Sequence, residues 1–232
     1  MRERPPHQTK PVVRKTTLAV DVVVLSPQID SLAALLVRSA PGGRERWSLP
    51  WDAPLPGEGL EDAAARITES ALGAAPALLE QVGAFADTRR HPGDADVSIG
   101  IVALTPRLEG ALVAGAEWFS LSALPPLSPR HRAIVDRATT AVRLRVDQSP
   151  LAFRLLPPTF TLTDLQGIYE LLLGRRLHKA SFRRALQASY LVEPTDEWRS
   201  EGRGRPAQLF RYAPRKRRGA RRGVRFDLFT DT

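Results

Sequence analysis

The chain has no cysteine, and this excludes both a disulfide framework and a thiolate zinc site. Aromatic residues make up only 6% of it, and its one methionine is the first residue. No apolar run approaches the roughly 20 residues that a membrane-spanning helix needs. The start, MRERPPHQTK, lacks the apolar centre of a secretion signal. A soluble, cytoplasmic protein with no membrane partner is therefore expected. Acidic charge is also scarce, with 25 Asp and Glu against 34 Lys and Arg, a net charge of +9. Such an excess points to a polyanionic partner, nucleic acid first. What is present suffices for a buried core: 232 residues, 43% of them hydrophobic, allow one large domain or two modest ones.

Residues 1–15 are polar, basic and carry three prolines, so a disordered arm is expected there. The run Thr17 to Leu25 is β-branched and almost continuously apolar, the pattern of a strand buried on both faces. Its one charge, Asp21, is expected where the strand leaves the core. Ser31 to Arg38 reads as a second strand, although its Ala and Leu suit a helix equally well, with Pro27 to Asp30 as the connection. From Gly59 to Leu72 the apolar residues Leu60, Ala64, Ile67 and Ala71 recur at helical spacing, and Gly73 closes the helix. Asp62, Arg66 and Glu69 are spaced so that Arg66 can pair with either neighbour on that helix. Glu80 to Asp87, Val97 to Leu104 and Glu117 to Ser120 read as further strands. The turn-rich loop TRRHPGDAD between the first two either flanks a pocket or is a solvated hairpin tip. Arg130 to Asp147 is a long helix with a broad apolar stripe.

Composition shifts at Pro150, Pro157 and Pro158, which mark a domain boundary. Thr161 to Asp164 caps a helix whose apolar face includes Leu165, Ile168 and Leu172. A turn at Gly174 to Leu177, a second helix at Lys179 to Ser189, and strands at Leu191 to Trp198 and Ala207 to Tyr212 follow. That order is a winged helix-turn-helix. The expected units are 1–15, 16–148, 149–213 and a basic tail, 214–232. With Phe182 in the core, Ala185, Leu186 and Ser189 fall on its side, while Ala180, Arg183, Arg184 and Gln187 face away. Arg and Gln make bidentate contacts to guanine and adenine in the major groove. Lys179 is placed for phosphate, and Arg203 and Arg205 lie in the wing loop, where they track the backbone or reach the minor groove. Double-stranded DNA is the partner these residues suit. Phe160, Tyr169, Phe182 and Tyr190 fall at core-like positions and not as a stacking platform, which counts against single-stranded nucleic acid.

Trp47-Ser-Leu-Pro50, Pro56-Gly-Glu58, Ala63-Ala-Ala-Arg66 and Gly73 together resemble the Nudix box and its lead-in, G-x5-E-x7-R-E-U-x-E-E-x-G-U with U aliphatic. Anchored on Gly73, Glu58 and Arg66 match. Asp52 stands where the first glycine belongs, Ile67 replaces an acid, Thr68 an aliphatic residue, and Ser70 and Ala71 replace the two metal-binding acids. Magnesium and manganese need oxygen ligands, preferably charged ones, so efficient hydrolysis, a metal and a cofactor are not expected. Glu117 is a candidate for a compensating acid. A Nudix-like domain followed by a winged helix is similar to the Nudix-related transcriptional regulators (NrtR). Leu177 to Leu186, Gly202 to Pro206 and Leu124 to Leu127 leading into His131 carry the same resemblance. It implies an α/β fold, a Nudix-like α/β/α sandwich with a mixed sheet, followed by the winged helix-turn-helix. It also implies a bacterial regulator, dimeric and a repressor, that senses ADP-ribose or a related nucleotide diphosphate and controls genes of NAD or sugar metabolism. Trp47, Pro50, Trp51, Asp52, Glu58 and Arg66 are then the expected pocket residues. A carboxylate at Asp52 is expected to repel a diphosphate, and Trp51 to narrow the pocket or stack on a base, unless both tryptophans simply cover the core. The competing expectation is a Nudix-type hydrolase with a nucleic-acid-binding appendage.

Overall fold

A computed structural model of the chain describes residues 15–39, 46–200 and 205–214. Nearly all of the expected N-terminal arm and of the basic tail, and Arg203, lie outside the described residues. The first strand, β1 (Leu18–Pro27), runs through the middle of a mixed sheet. It pairs in parallel with β6 (Val97–Leu104) and antiparallel with β2 (Leu32–Arg38). The short β3 (Trp47–Ser48) extends β2, and β4 (Trp51–Asp52) pairs with β1. β5 (Leu78–Phe85) closes the β6 side, and β7 (Ala116–Ser120) pairs with β2.

Alternation along β1 divides the core into two layers. Val20, Val22 and Val24 face α1 (Leu60–Leu72), meeting Ala63, Ala64, Ile67 and Ala71. Val23 and Leu25 belong to the opposite layer, with Ile134, Val135 and Ala138 of α2 (Pro129–Arg145). The result is the expected α/β/α sandwich. Gly100 in β6 is what lets α2 approach: a Cβ there would sit 3.0 Å from Ile134 and 2.9 Å from Phe85. β2 is a strand, not a helix, because its Ala and Leu residues are covered on both faces by the sandwich. β5 begins two residues before the expected Glu80.

The α2-side layer does not stop at the end of α2. Val142 and Val146 lead into Leu151, Ala152, Phe153 and Leu155, where the expected boundary segment forms a 3-10 turn (Leu151–Leu155). The same apolar cluster continues through Phe160, Leu165, Tyr169, Phe182 and Leu186. The winged helix is built from β8 (Thr159–Phe160), α3 (Leu162–Leu173), α4 (Lys179–Ser189), β9 (Val192–Arg199) and β10 (Ala207–Tyr212), with strand order β8-β10-β9. Thr161 and Asp164 form a reciprocal capping box at the start of α3. Both Asp164 oxygens also accept from Arg199 Nη2, at 2.8 and 2.7 Å, which ties the end of β9 to that helix.

Candidate functional site

The pocket edge expected from the sequence is formed by β3, β4 and the loop that leads into α1. Arg66 does not pair with Asp62 or Glu69. The loop folds back over the helix, and Arg66 grips Glu58 with Nε at 2.8 Å and Nη2 at 2.9 Å, while Nη1 reaches Asp52 at 2.8 Å and Nη2 reaches the Ala53 carbonyl at 3.1 Å. A bidentate contact across the loop is stronger than the flexible pairs available along the helix surface. Glu58 also accepts the Leu55 N–H at 2.7 Å. The Arg66 hydrogen bonds, then that N–H, hold the Glu58 carboxyl down at about 2 against a smaller opposing effect of burial. The same contacts hold Arg66 well above the ordinary arginine range. Asp52 is therefore not the free repelling carboxylate expected from the sequence. The trio still carries one net negative charge.

The two tryptophans divide the alternatives left open for them. Trp47 is buried, edge-on to Phe119 at 4.9 Å, so it covers the core. Pro50 is buried as well, its carbonyl accepting the Val22 N–H. Trp51 is half-buried, lies across Gly93 and meets His91 edge-on at 4.6 Å.

Asp21 does not sit where β1 leaves the core. It is fully buried in mid-strand, and the parity of β1 aims it at the α2 layer. There its Oδ1 accepts from Nε2 of His91 at 2.9 Å and of His131 at 2.8 Å. The second nitrogen of each ring is also engaged: the Leu49 N–H donates to His131 Nδ1 at 3.1 Å, and the Gly93 N–H to His91 Nδ1 at 3.0 Å. Since both Nδ1 atoms accept, both protons lie on Nε2. Burial works to raise the Asp21 carboxyl, but the hydrogen bonds from His131 and His91 outweigh it and hold the group well below the usual range. Among the described residues these three are the one set of His, Asp or Glu side chains close enough to share a metal ion. The fixed tautomer argues against one, because a ligating Nε2 must be bare and Nδ1 must donate. Within the loop TRRHPGDAD, His91 and Ala95 are buried and anchor it to the core, while Thr88, Arg89, Gly93, Asp94 and Asp96 are exposed. Arg130, next to His131, ties it further, donating to the carbonyls of Ala95 at 2.7 Å and Asp87 at 2.5 Å.

On α4, Phe182 and Leu186 are buried, and Ala185 and Ser189 are half-buried beside them. Lys179, Arg183, Arg184 and Gln187 are exposed on the outer face, and Arg205 is exposed at the start of β10's approach. Glu170, which sequence reasoning passed over, fixes the turn before α4. It accepts from the Leu177 N–H, Gln166 and Arg176, each at 2.9 Å. Burial opposes its ionisation, yet those three donors together hold its carboxyl below the ordinary value.

The NUDIX domain family model matches residues 15–138, and the model for the NrtR DNA-binding winged helix domain matches residues 152–212. The ADPR responsive transcriptional repressor NtrR of Acinetobacter baylyi is 31% identical over 205 residues, covering 84% of this chain and 82% of that protein. The chain belongs to the NrtR family. Two crystal structures of Shewanella oneidensis NrtR are similar throughout. The form complexed with a 27mer DNA has a TM-score of 0.72 at 26% identity, covering 85% of this chain and 94% of that one. The other has a TM-score of 0.73 at 27% identity, with 86% and 95% covered.

Within this NrtR-family chain, the residues at the Nudix metal positions are built into other roles. Ala71 packs into the core, and Ser70 is an exposed neutral side chain. Thr68 is buried, its hydroxyl donating back to the Ala64 carbonyl at 2.7 Å. Glu117 cannot stand in for the missing acids. Ala116 and Trp118 pack on the α1 side of the sheet and Phe119 on the α2 side, so alternation puts Glu117 on the face away from α1. A separate groove of about 800 Å³ lies between the β1–β2 turn, α2 and α3. Arg132–Asp136 and Arg176–Glu170 ion pairs line it, together with Asp30, Arg143 and Arg175. No helix among the described residues is long and apolar enough to cross a membrane.

Proposed function

We propose that this chain is a ligand-responsive repressor. Its Nudix-like domain binds ADP-ribose or a related nucleotide diphosphate without hydrolysing it, and the outer face of α4 binds operator DNA as one half of a twofold dimer. The observation that carries this reading is the pairing of two surfaces. α1 has a buried Ala71 and a neutral Ser70 where a hydrolase needs carboxylates, whereas α4 presents Arg183, Arg184 and Gln187 to solvent on a well-anchored turn. Likeness over 84% of the chain to a repressor described as ADPR responsive supports the ligand class. Lys179 and Arg205 contact phosphates in this reading, with Arg203 in the same wing. Trp51, Asp52, Glu58 and Arg66 edge the ligand pocket, while Trp47 and Pro50 support it from the core. Residues 16–148 and 149–213 form the sensing and DNA-binding units.

The test is a gel shift on DNA upstream of the protein's own operon, with and without ADP-ribose, run beside an assay for hydrolysis of ADP-ribose with magnesium. Operator binding that weakens with ADP-ribose, and no turnover at enzyme-like rates, is the expected result. Turnover on the scale of seconds would favour the hydrolase instead.

A further inference from the structure

The Asp21–His91–His131 group is buried on the α2 side of the sheet with His91 against Trp51, and every polar atom in it but one has a fixed partner. Its reach explains what it does. His131 sits in the first turn of α2 and holds the Leu49 N–H, one residue before Pro50. His91 holds the Gly93 N–H, and both His91 and Gly93 lie under Trp51. Asp21 joins the two rings through a single oxygen, leaving its Oδ2 buried without a hydrogen bond among the described residues. A buried carboxylate is costly unless donors meet it, and the two donors here belong to rings that each hold a loop N–H.

We propose that Asp21, His91 and His131 are positioning residues for the ligand pocket: they lock two loops, through Leu49 and Gly93, in the geometry that places Trp51 against the ligand. This rests on the sensor reading given above. The two nitrogens of His131 have separate duties, and this makes the proposal testable. Nδ1 fixes the loop and Nε2 fixes Asp21. His131→Asn keeps an acceptor near the Nδ1 position and loses the donor to Asp21. His131→Gln keeps a donor near Nε2 and loses the acceptor for Leu49.

The experiment compares both variants with the full-length protein by amide hydrogen exchange at Leu49, by ADP-ribose calorimetry and by thermal melting. His131→Gln is expected to speed Leu49 exchange and weaken ADP-ribose binding by at least about tenfold, the effect of orphaning one buried N–H. His131→Asn, which keeps the Leu49 acceptor and loses the bond to Asp21, is expected to lose less of both, even where the two variants melt alike. Equal losses in the two variants, scaling with melting temperature, would reduce the group to a structural one and overturn the proposal. Stoichiometric zinc in the purified protein would overturn it too, since a metal requires the opposite tautomer. If the parent protein binds no ADP-ribose while Leu49 exchange still separates the variants, the sensor reading fails and the loop-positioning role stands.

Discussion

Gly93→Ala is the sharpest probe of how the pocket edge is packed. A Cβ on Gly93 would lie 2.6 and 2.8 Å from two carbons of the Trp51 ring, with a third closer still. Ordinary carbon–carbon contact lies at about 3.5–4.0 Å, so the ring must retreat by on the order of 1 Å. Its backbone cannot follow, because β4 is paired to β1 with Trp51 opposite Asp21. Relief has to come from the Trp51 side-chain torsions, at about 0.5–1.5 kcal/mol for an off-rotamer angle, together with lost contact on His91. Gly93 is not among the glycines with positive φ, so alanine adds no backbone strain. The expected cost is about 1–2 kcal/mol, within the range for overpacking, or a fall in Tm of roughly 2–8 °C for a domain of this size. Differential scanning fluorimetry reads the loss, and tryptophan emission reads the exposure of the ring. The decisive control is the same change made in a Trp51→Ala background, where the cost should vanish. A Gly93→Ala protein that melts like its parent, or that loses as much without Trp51 as with it, refutes this packing.

Other outcomes follow from the same geometry. Arg184→Ala should weaken operator binding by about 1–3 kcal/mol and relax base preference at one position, whereas Lys179→Ala should weaken all sequences alike and flatten the salt dependence; footprinting across an operator library separates the two. Asp52→Ala leaves Arg66 balanced by Glu58 alone and should tighten binding of a nucleotide diphosphate, and calorimetry showing unchanged or weaker binding would count against the proposed pocket. Glu58, held down at about 2, adds stability that is fully present above the ordinary glutamate range and fades as pH falls towards 2. The Tm gap between the parent and Glu58→Gln should accordingly shrink between pH 5 and pH 2. Asp164→Ala removes the carboxylate half of the α3 capping box and the anchor for Arg199, and should cost about 1–2 kcal/mol in chemical denaturation of the winged helix.

Periodicity made much of this chain legible. The outer face of α4 follows from placing Phe182 in the core, and the two-sided burial of β1 follows from its unbroken valines. The erosion of the Nudix acids could be read from Gly73 backwards. What stayed hidden depends on contacts far apart in sequence. Asp21 meets partners 70 and 110 residues away, and nothing local distinguishes it from a charge at a strand end. One signal was available: a carboxylate inside an apolar run must find donors, and the chain has only four histidines. Arg66 was misassigned for the opposite reason. Its helix neighbours Asp62 and Glu69 were obvious, but the loop that brings Glu58 and Asp52 onto it is set by the fold-back and not by helix spacing. Trp47 and Trp51 sit four residues apart in one motif, yet one is core and the other edge, because β3 and β4 pair with different strands.

The first turn of α2 carries both Arg130, tied to one loop, and His131, tied to the other, while Val142 near its far end joins the apolar cluster that continues into the winged helix. Seventeen residues at 1.5 Å each make a rigid rod about 25 Å long. Arg143, near its end, lies over Gly174, where α3 stops and the turn to α4 begins. A pivot of about 5° at the pinned end swings the other by roughly 2 Å. In a twofold pair, two such swings add or oppose along a DNA whose grooves repeat about every 34 Å. In the repressor reading proposed above, the helix acts as a lever with its fulcrum at the loops that Arg130 and His131 hold, and small loop movements there would reach a twofold-bound DNA as a mismatch in span.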